Sequence, residues 1–502
     1  MIKKLFASAL VLILLGLTLT ACAPVRNDDG GEATLNTVTE AVSEPTPDTS
    51  SFKLSYSKSD SLNPFETTTL NNQVVENLVF ESLFIMDENW EILPQLATGY
   101  QYKNAKTLVV KLRDGVKFSN GSAMTAENVV YSFEEAKKSP RWETALSVFK
   151  SAKANSSGEV IFTLKEPNPS AHKLLTFAIS KKGKTKKGFA IGCGRYKYTE
   201  GDGTVYLKLN ENYYDEFKPH FTVIQLVNIT SEESIENAVN IGNISYTFRD
   251  MSSGSKNKIQ CSKKPVLLNN LVYIGINSNS GITSNEFIRR AISLALDRDT
   301  LVKSAYRGYA KPALSVFNPS CSLGKQTEIF SSTADTDAAR QAIEKSGLSK
   351  EELKIDILTS STEGKNAAAN ILKRQLEAVG FKVTINKENP STYINRINSG
   401  SFTVYVGETK LTNDMSLNSF FDKKGTTSAG IDFEKSSAAS SYKGYVKGDN
   451  ELGKFILDFS QELPFIPLLY RQGMICYSHS LHGDMQGYTD NYFLNIEDWY
   501  YS

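Results

Sequence analysis

Histidines, cysteines and paired acids are the residues of this chain that could do chemistry, and their spacing points away from turnover. The four histidines, His172, His220, His479 and His482, form no H-E-x-x-H pair of the kind that sets two imidazoles on one helix face for a metal. His479 with His482, and Glu363 near Asn366, are the pairs that could suggest a metal; the two histidines stand in a polar segment beside Gly483 and read as surface residues. Five cysteines, Cys22, Cys193, Cys261, Cys321 and Cys476, are scattered singly, with no C-x-x-C pair and no zinc-knuckle spacing. For the last four, disulfides and buried free thiols both stay open. There is no G-x-S-x-G elbow for a serine nucleophile and no G-x-x-x-x-G-K-[ST] loop for a nucleotide. What remains is recognition without a bond being broken, so no enzyme activity, cofactor or metal is expected.

The elements around those residues begin with MIKKLFASALVLILLGLTLTAC. Lys3 and Lys4 give a positive start, Leu5 to Leu19 an apolar run of about fifteen residues, and Leu19-Thr20-Ala21-Cys22 a close that leads into a thiol. That run falls short of the roughly twenty apolar residues of a bilayer span and suits the core of an export signal. The close resembles the lipobox of bacterial lipoproteins, which implies a signal peptide over 1–21 and a diacylglyceryl group on Cys22. Two acyl chains hold a protein stably to a membrane, so the resemblance implies an extracytoplasmic body anchored by lipid alone. Residues 22–51 carry six acids (Asp28, Asp29, Glu32, Glu40, Glu44, Asp48) against Arg26, with few aromatics. Such a segment cannot bury enough apolar surface to offset its ordering entropy, and a disordered tether is expected.

At 502 residues, 40% hydrophobic, the chain is long enough for two or more lobes. The formal charge is +1, or −1 without Lys3 and Lys4, which gives no electrostatic reason to expect nucleic acid as a partner. The basic run Lys181–Lys187 has no aromatic interleaved with it and reads as a solvated loop.

From Phe52 onward helix and strand patterns alternate without a repeat, which indicates α/β layers. Phe52–Tyr56 alternates like a half-buried strand, and Leu70 to Met86 carries apolar residues at helical spacing. Thr107–Arg113 reads as a strand, and Asn120-Gly121 as a tight turn. Thr125 is placed to cap a helix through Glu135, with Glu127 in its first turn. Leu271–Ile276 reads as a buried strand, Phe287 to Leu296 as a helix, and Asn366–Val379 as a helix stopped by Gly380 before a strand over Phe381–Ile385.

Ser61-Leu62-Asn63-Pro64-Phe65, followed by Val79-Phe80-Glu81-Ser82-Leu83, resembles the opening of the solute-binding proteins of ABC importers, in the peptide and nickel class called family 5. Pro94-Gln95-Leu96-Ala97 resembles a further turn of that family. Leu112-Arg113-Asp114-Gly115-Val116-Lys117-Phe118-Ser119-Asn120-Gly121, running into Met124 to Val130, is similar to its signature over nearly twenty consecutive residues. Gly192 to Tyr198, Ile274 to Asn277, Arg289 to Arg298 and Leu463 to Leu468 continue the resemblance in order to the C-terminus. It implies a two-lobed periplasmic-binding-protein-like α/β fold of type II with an extra inserted subdomain and a hinge between lobes. The implied boundaries are 52–93, 191–272 and 475–502 for the first lobe, 94–190 for the inserted subdomain and 273–474 for the second lobe. The chain is expected to cross between lobes near Leu271 to Tyr273 and near Met474 to Tyr477. Also implied are a monomer, a short peptide or other small solute held by closure of the lobes, and a permease with ATPase subunits as partners. A nickel chelate or oligosaccharide as ligand, or a peptide sensor without transport, stays open beside that.

In the family, one face of the cleft follows L-N-P, which places Thr68, Thr69 and Leu70 there to exchange main-chain hydrogen bonds with an extended peptide. The opposite lobe carries a G-W-x-x-D-Y stretch whose Asp pairs with a peptide's α-ammonium. Here it reads Gly407-Glu408-Thr409-Lys410-Leu411-Thr412, with Glu408 in place of the Trp and Leu411 in place of the Asp. A buried ammonium needs a paired carboxylate. Either Glu408 takes that role, with Lys410 facing a ligand carboxylate, or the ligand is not a free peptide N-terminus. Tyr273, at the crossing point, reads as a cleft aromatic or equally as a core tyrosine. Glu408→Ala is expected to weaken binding of the native solute at least tenfold, about 1.4 kcal/mol. Unchanged affinity by calorimetry would remove Glu408 from the site.

Overall fold

The computed structural model describes residues 51–251 and 260–502; the signal peptide, Cys22 and the tether up to residue 50 lie outside them. Eleven strands form one mixed sheet. They are β1 (Phe52–Tyr56), β2 (Tyr196–Gly201), β3 (Thr204–Leu209), β4 (Val223–Asn228), β5 (Tyr246–Asp250), β6 (Ser262–Ile276), β7 (Ala310–Pro312), β8 (Lys354–Ser360), β9 (Lys382–Glu388), β10 (Val404–Lys410) and β11 (Phe465–Tyr477). In space they run β2-β3-β4-β1-β5-β11-β6-β10-β8-β9, with β7 beside β11.

The centre of this order is the antiparallel pair β6 and β11, and both strands are unusually long. β11 is buried along nearly its whole length. That is why it reads FIPLLYRQGMICY, a near-continuous apolar run, and not as an alternation. Its C-terminal part pairs with β5, from Tyr477 opposite Tyr246 to Gly473 opposite Asp250. On the other side, β6 pairs with β10 from Asn270 opposite Lys410 to Ile276 opposite Val404. Two register breaks interrupt β6–β11, one between Leu267 and Leu271 and one between Val272 and Tyr273. At the second, Val272 faces Leu469 while Tyr273 faces Pro467, so Leu468 is the extra residue, beside a proline that has no N–H to give the ladder.

The apolar side chains gather in three large clusters. One draws on β1, β4, β5 and the C-terminal tail, including Phe52, Tyr246, Ile475 and Trp499. A second is built within residues 65–193 around Phe118, Phe133, Phe149 and Phe162. The third takes Leu271 to Ile276, Ile357, Leu372, Phe420 and Phe465 to Tyr470. A separate four-stranded antiparallel sheet (Ala97–Asn104, Thr107–Leu112, Val160–Leu164, Phe149–Ala154) carries the second cluster. Among the described residues no helix is long and apolar enough to cross a membrane.

Local readings hold where a nearby partner settles the backbone. Helix α2 spans Ala126–Ala136, and the Asn128 side chain accepts from the Thr125 amide at 2.9 Å, which closes its first turn. The helix at Glu363–Ala378 ends before Gly380, whose φ is 115°. The helical spacing over Leu70 to Met86 does not hold throughout. Helix α1 covers only Leu70–Glu76, and Leu78, Val79 and Leu83 are buried outside it. There the backbone turns to meet another segment: Gly194 donates to Val79 O at 2.9 Å and Tyr196 to Leu78 O at 2.8 Å. Apolar periodicity was satisfied by burial without continued helix. The run Lys181–Lys187 is a hairpin and not a plain loop, because Ser180–Lys184 pairs with Ala190–Gly192.

That close approach requires glycine. A Cβ on Gly194 would lie 2.6 Å from the Val79 carbonyl carbon and 2.7 Å from Leu78 O, which are backbone atoms that cannot rotate away. Gly194→Ala is therefore expected to destabilise the protein by about 2–3 kcal/mol in urea unfolding. A midpoint equal to wild type would show that the two segments separate easily.

Candidate functional site

The site is built where β6 and β11 lose register. At the first break three β6 residues, Leu268, Asn269 and Asn270, stand against one β11 residue, Arg471. Arg471 is the only charged residue of its strand and is almost wholly buried. Its guanidinium pairs with Asp250 at the end of β5 and with Glu408 in β10, so one cation joins carboxylates from opposite sides of the central strands. Asn270 also donates to Glu408, at 3.0 Å. Asn269 donates to Leu411 O at 3.0 Å and Thr412 O at 3.1 Å, which ties the widened turn to the end of β10.

A second charged group surrounds a polar cavity of about 40 Å³, room for a few waters or one small polar group. Glu76 at the end of α1, Glu81, Arg141, Arg195 and Asp490 line it. Arg141 pairs with Glu76 and, at 3.2 Å, with Asp490, while its guanidinium stacks over Trp142 at 4.5 Å. Glu81 accepts from the Tyr213 hydroxyl at 2.6 Å. In each glutamate the second oxygen, Oε2, is buried without a hydrogen-bond partner. Burial pushes the Glu76 carboxyl up to about 7 against the pull of Arg141, and burial also raises Glu81. Asp490 goes the other way: burial raises it, but Lys410 and Arg141 outweigh that and leave it below its ordinary range. The cavity thus combines two cations with two glutamates that each keep one oxygen without a donor.

Thr68 and Thr69 lie on the approach to α1, where Asp60 gathers them. Its carboxylate accepts the Thr68 amide at 3.1 Å, the Thr69 amide at 2.8 Å and the Thr69 hydroxyl at 2.7 Å. A peptide main chain would have to find other donors than those amides. Leu70 is half-buried as the first residue of α1. Asp60 also contributes to raising Glu76, which connects this corner electrostatically to the cavity. Lys410 is exposed at the end of β10 and acts on Asp490, so it stands at the other end of the same charged strip. Glu408 is engaged by Arg471 and Asn270, and an ammonium reaching it would share that carboxylate.

Tyr273, which the sequence leaves as a cleft aromatic or a core tyrosine, is packed in the core at 2% exposure. Its hydroxyl meets that of Tyr405 at 3.2 Å, and its ring packs edge-on against Phe420 at 4.9 Å, because the inner face of β6 is covered by the third cluster. Arg141, Arg195, Asp490 and Arg471 escaped the sequence reading. Only Arg471 had a signal, a lone charge within an apolar strand run. No cluster of three or more metal-ligating side chains occurs among the described residues.

The family model of the bacterial extracellular solute-binding proteins, family 5 (middle region), matches residues 91–428. The chain belongs to that family. Among curated proteins it is similar to the glutathione-binding protein GsiB of Salmonella typhi, 24% identical over 306 residues, 57% of this chain and 59% of that protein. The match thus spans less than two thirds of that relative. GsiB of Escherichia coli K12 is 23% identical over 347 residues, 64% of this chain and 66% of the relative. Among solved structures, the unliganded open form of the periplasmic murein tripeptide binding protein MppA superposes with a TM-score of 0.74 at 20% identity, covering 90% of this chain and 97% of that one. NikA from Brucella suis, in complex with Fe(III)-EDTA, gives 0.68 at 19% identity over 90% of this chain and all of the other. At these identities the structural likeness establishes the two-lobed fold.

The raised Glu76 carboxyl makes stability depend on pH. Its folded value, about 7, lies above the ordinary 4.5, so the protonated form favours the fold. That contribution is complete below about pH 4.5 and is lost as the pH rises through 7, by roughly 3 kcal/mol at most. Urea midpoints are expected to fall across this window, and Glu76→Gln to flatten the fall. An equally steep decline in the variant would assign it to other groups.

Proposed function

We propose that the protein is the substrate-binding component of an ABC importer, capturing short peptides between its lobes by hinge closure and passing them unaltered to a membrane permease with ATPase subunits. In this reading the lipid on Cys22 holds the body at the outer face of the membrane. The observation that carries the proposal is the family match over residues 91–428, and the cavity of Glu76, Glu81, Arg141 and Arg195 is the candidate anchor point on one side of the cleft. In this reading only the solute's ammonium enters the cavity, where its three donors serve the orphan oxygens, while the rest of the solute lies outside and its carboxylate meets exposed Lys410. In the same reading a longer solute also touches Thr68, Thr69, Leu70 and Glu408.

In this reading the β6–β11 breaks are where the lobes bend. A ligand favours the closed state by as much as it binds that state better, and contacts to both lobes provide the difference. Two hydrogen bonds already cross between the 168–176 segment and the loop after β10. Asn168 donates to Asp414 at 2.8 Å and Asn413 to Thr176 at 3.1 Å. Family membership and relatives named for glutathione and murein tripeptide support a peptide-like solute. The paired guanidiniums also suit the carboxylates of a metal chelate, the second reading.

Mass spectrometry of the solute released on denaturing the purified protein decides between them: a short intact peptide is expected. A metal stoichiometrically bound with an organic acid would establish the chelate, and recovery of cleaved products would end the binding-only account. Lys410→Ala is expected to weaken the recovered solute about tenfold, with the urea midpoint unchanged because the side chain is exposed. Equal affinity by calorimetry would take Lys410 out of the site.

A further inference from the structure

Cys261 and Cys476 lie against each other where β6 begins and β11 ends. Lys263 is the ladder partner of Cys476, which sets Cys261 two residues further along on the same face, diagonal to Cys476. Both thiols are buried, Cys261 at 4% and Cys476 at 0% exposure, in a small cluster with Val239, Met251 and Met474. Each is a free cysteine, and each thiol bears on the other's proton affinity. Cys261 precedes the first residue of β6, so its backbone is held less by the ladder and more by its amide bond to Asn240 Oδ1 at 3.2 Å. The other two described cysteines sit elsewhere, Cys193 in the second large cluster and Cys321 in the third.

We propose that Cys261 and Cys476 are a redox modification site: they form an intramolecular disulfide on exposure to a small organic disulfide or to a thiol–disulfide exchange catalyst. Thiols that share one small cluster can be bridged where the backbone can adjust, as it can at Cys261 just before β6, and compartments outside the cytoplasm keep such bonds oxidised. Cys261 is the less buried of the two, and its thiol is lowered while that of Cys476 is raised, which makes Cys261 the nucleophile. The Cys261 thiolate attacks one sulfur of the external disulfide, and the other sulfur leaves with the electron pair and takes up a proton. Cys476 then loses its proton and attacks Cys261 Sγ, releasing the second external thiol. Two protein thiols are oxidised and one external disulfide is reduced to two thiols.

The bond would tie β6 to β11 on one side of their register breaks, holding the two strands together where β11 also pairs with β5, while leaving the breaks themselves unconstrained. It is a property of the chain's own chemistry and holds whatever solute occupies the cavity.

The test uses the full purified chain, fully reduced, then incubated with 2-hydroxyethyl disulfide. Remaining thiols are blocked with N-ethylmaleimide in denaturant, and the digest is read by mass spectrometry without reduction. The expected product is a single crosslinked peptide pair containing Cys261 and Cys476, two hydrogens lighter than the separate peptides, with Cys193 and Cys321 labelled. In Cys476→Ser the second step is blocked, so Cys261 is expected to carry a mercaptoethanol adduct. In Cys261→Ser, Cys476 is expected to react at least tenfold more slowly. Labelling of both Cys261 and Cys476 in the wild-type chain, or a crosslink involving Cys193 or Cys321, overturns the proposal. The wild-type map stands even where a serine variant folds poorly.

Discussion

The antiparallel pairing of β6 with β11 is the constraint on which the rest of the molecule depends. β11 connects to β5 at one end and, through β6, to β10 at the other, so the first and third clusters hang on one pair of strands. A regular ladder of that length would be stiff. Pro467 cannot donate to it, and Asn269 and Asn270 bulge opposite Arg471, so regular pairing stops twice near its middle. The flanking segments stay paired and buried. Irregular pairing is thereby confined to a few residues, and in the proposed reading these are the hinge.

Arg471 sits at that weak point with a carboxylate on either side. A buried cation is tolerated only when paired, and stripping one partner from such a group costs several kcal/mol, more than removing an exposed pair. Asp250 and Glu408 therefore hold the guanidinium in the break while the ladder itself is open. This explains why Glu408 replaces an aromatic of the family pattern without becoming a free acceptor. Burial raises the Glu408 carboxyl all the same, and it does so in the polar cavity as well. Glu76 and Glu81 are desolvated and only half satisfied, so burial wins over pairing and their carboxyls rise. Asp490, facing both Arg141 and Lys410, stays low. Orphan carboxyl oxygens and cations within one small volume form an incomplete electrostatic arrangement, and in the proposed reading a charged solute completes it.

Elements whose signals are local were legible in advance. The Thr125–Asn128 turn that opens α2, the stop at Gly380 and the apolar run of β6 depend on neighbours within a few residues, and each stands in the structure. Leu70 to Met86 was read as a longer helix because burial leaves the same apolar spacing whether or not the backbone stays helical. What ended α1 was the approach of Gly192 to Tyr196, more than a hundred residues away. Tyr273 shows the same limit from another side: a strand pattern tells which residues share a face, and cannot tell which face is covered. Arg141, Arg195 and Asp490 carried no pattern at all, since they meet Glu76 and Glu81 only across chain separations of tens to hundreds of residues.

The residue order alone thus determined the class of fold, the family and the absence of the common catalytic motifs, because these rest on short contiguous stretches such as Leu112–Gly121 and on the periodicity of single elements. Tertiary structure decided which charges meet. Coulomb attraction and desolvation depend on distance and burial, and neither is written in a linear chain until β6 and β11 bring Asp250, Glu408 and Arg471 to one point and fold Arg141 onto Glu76.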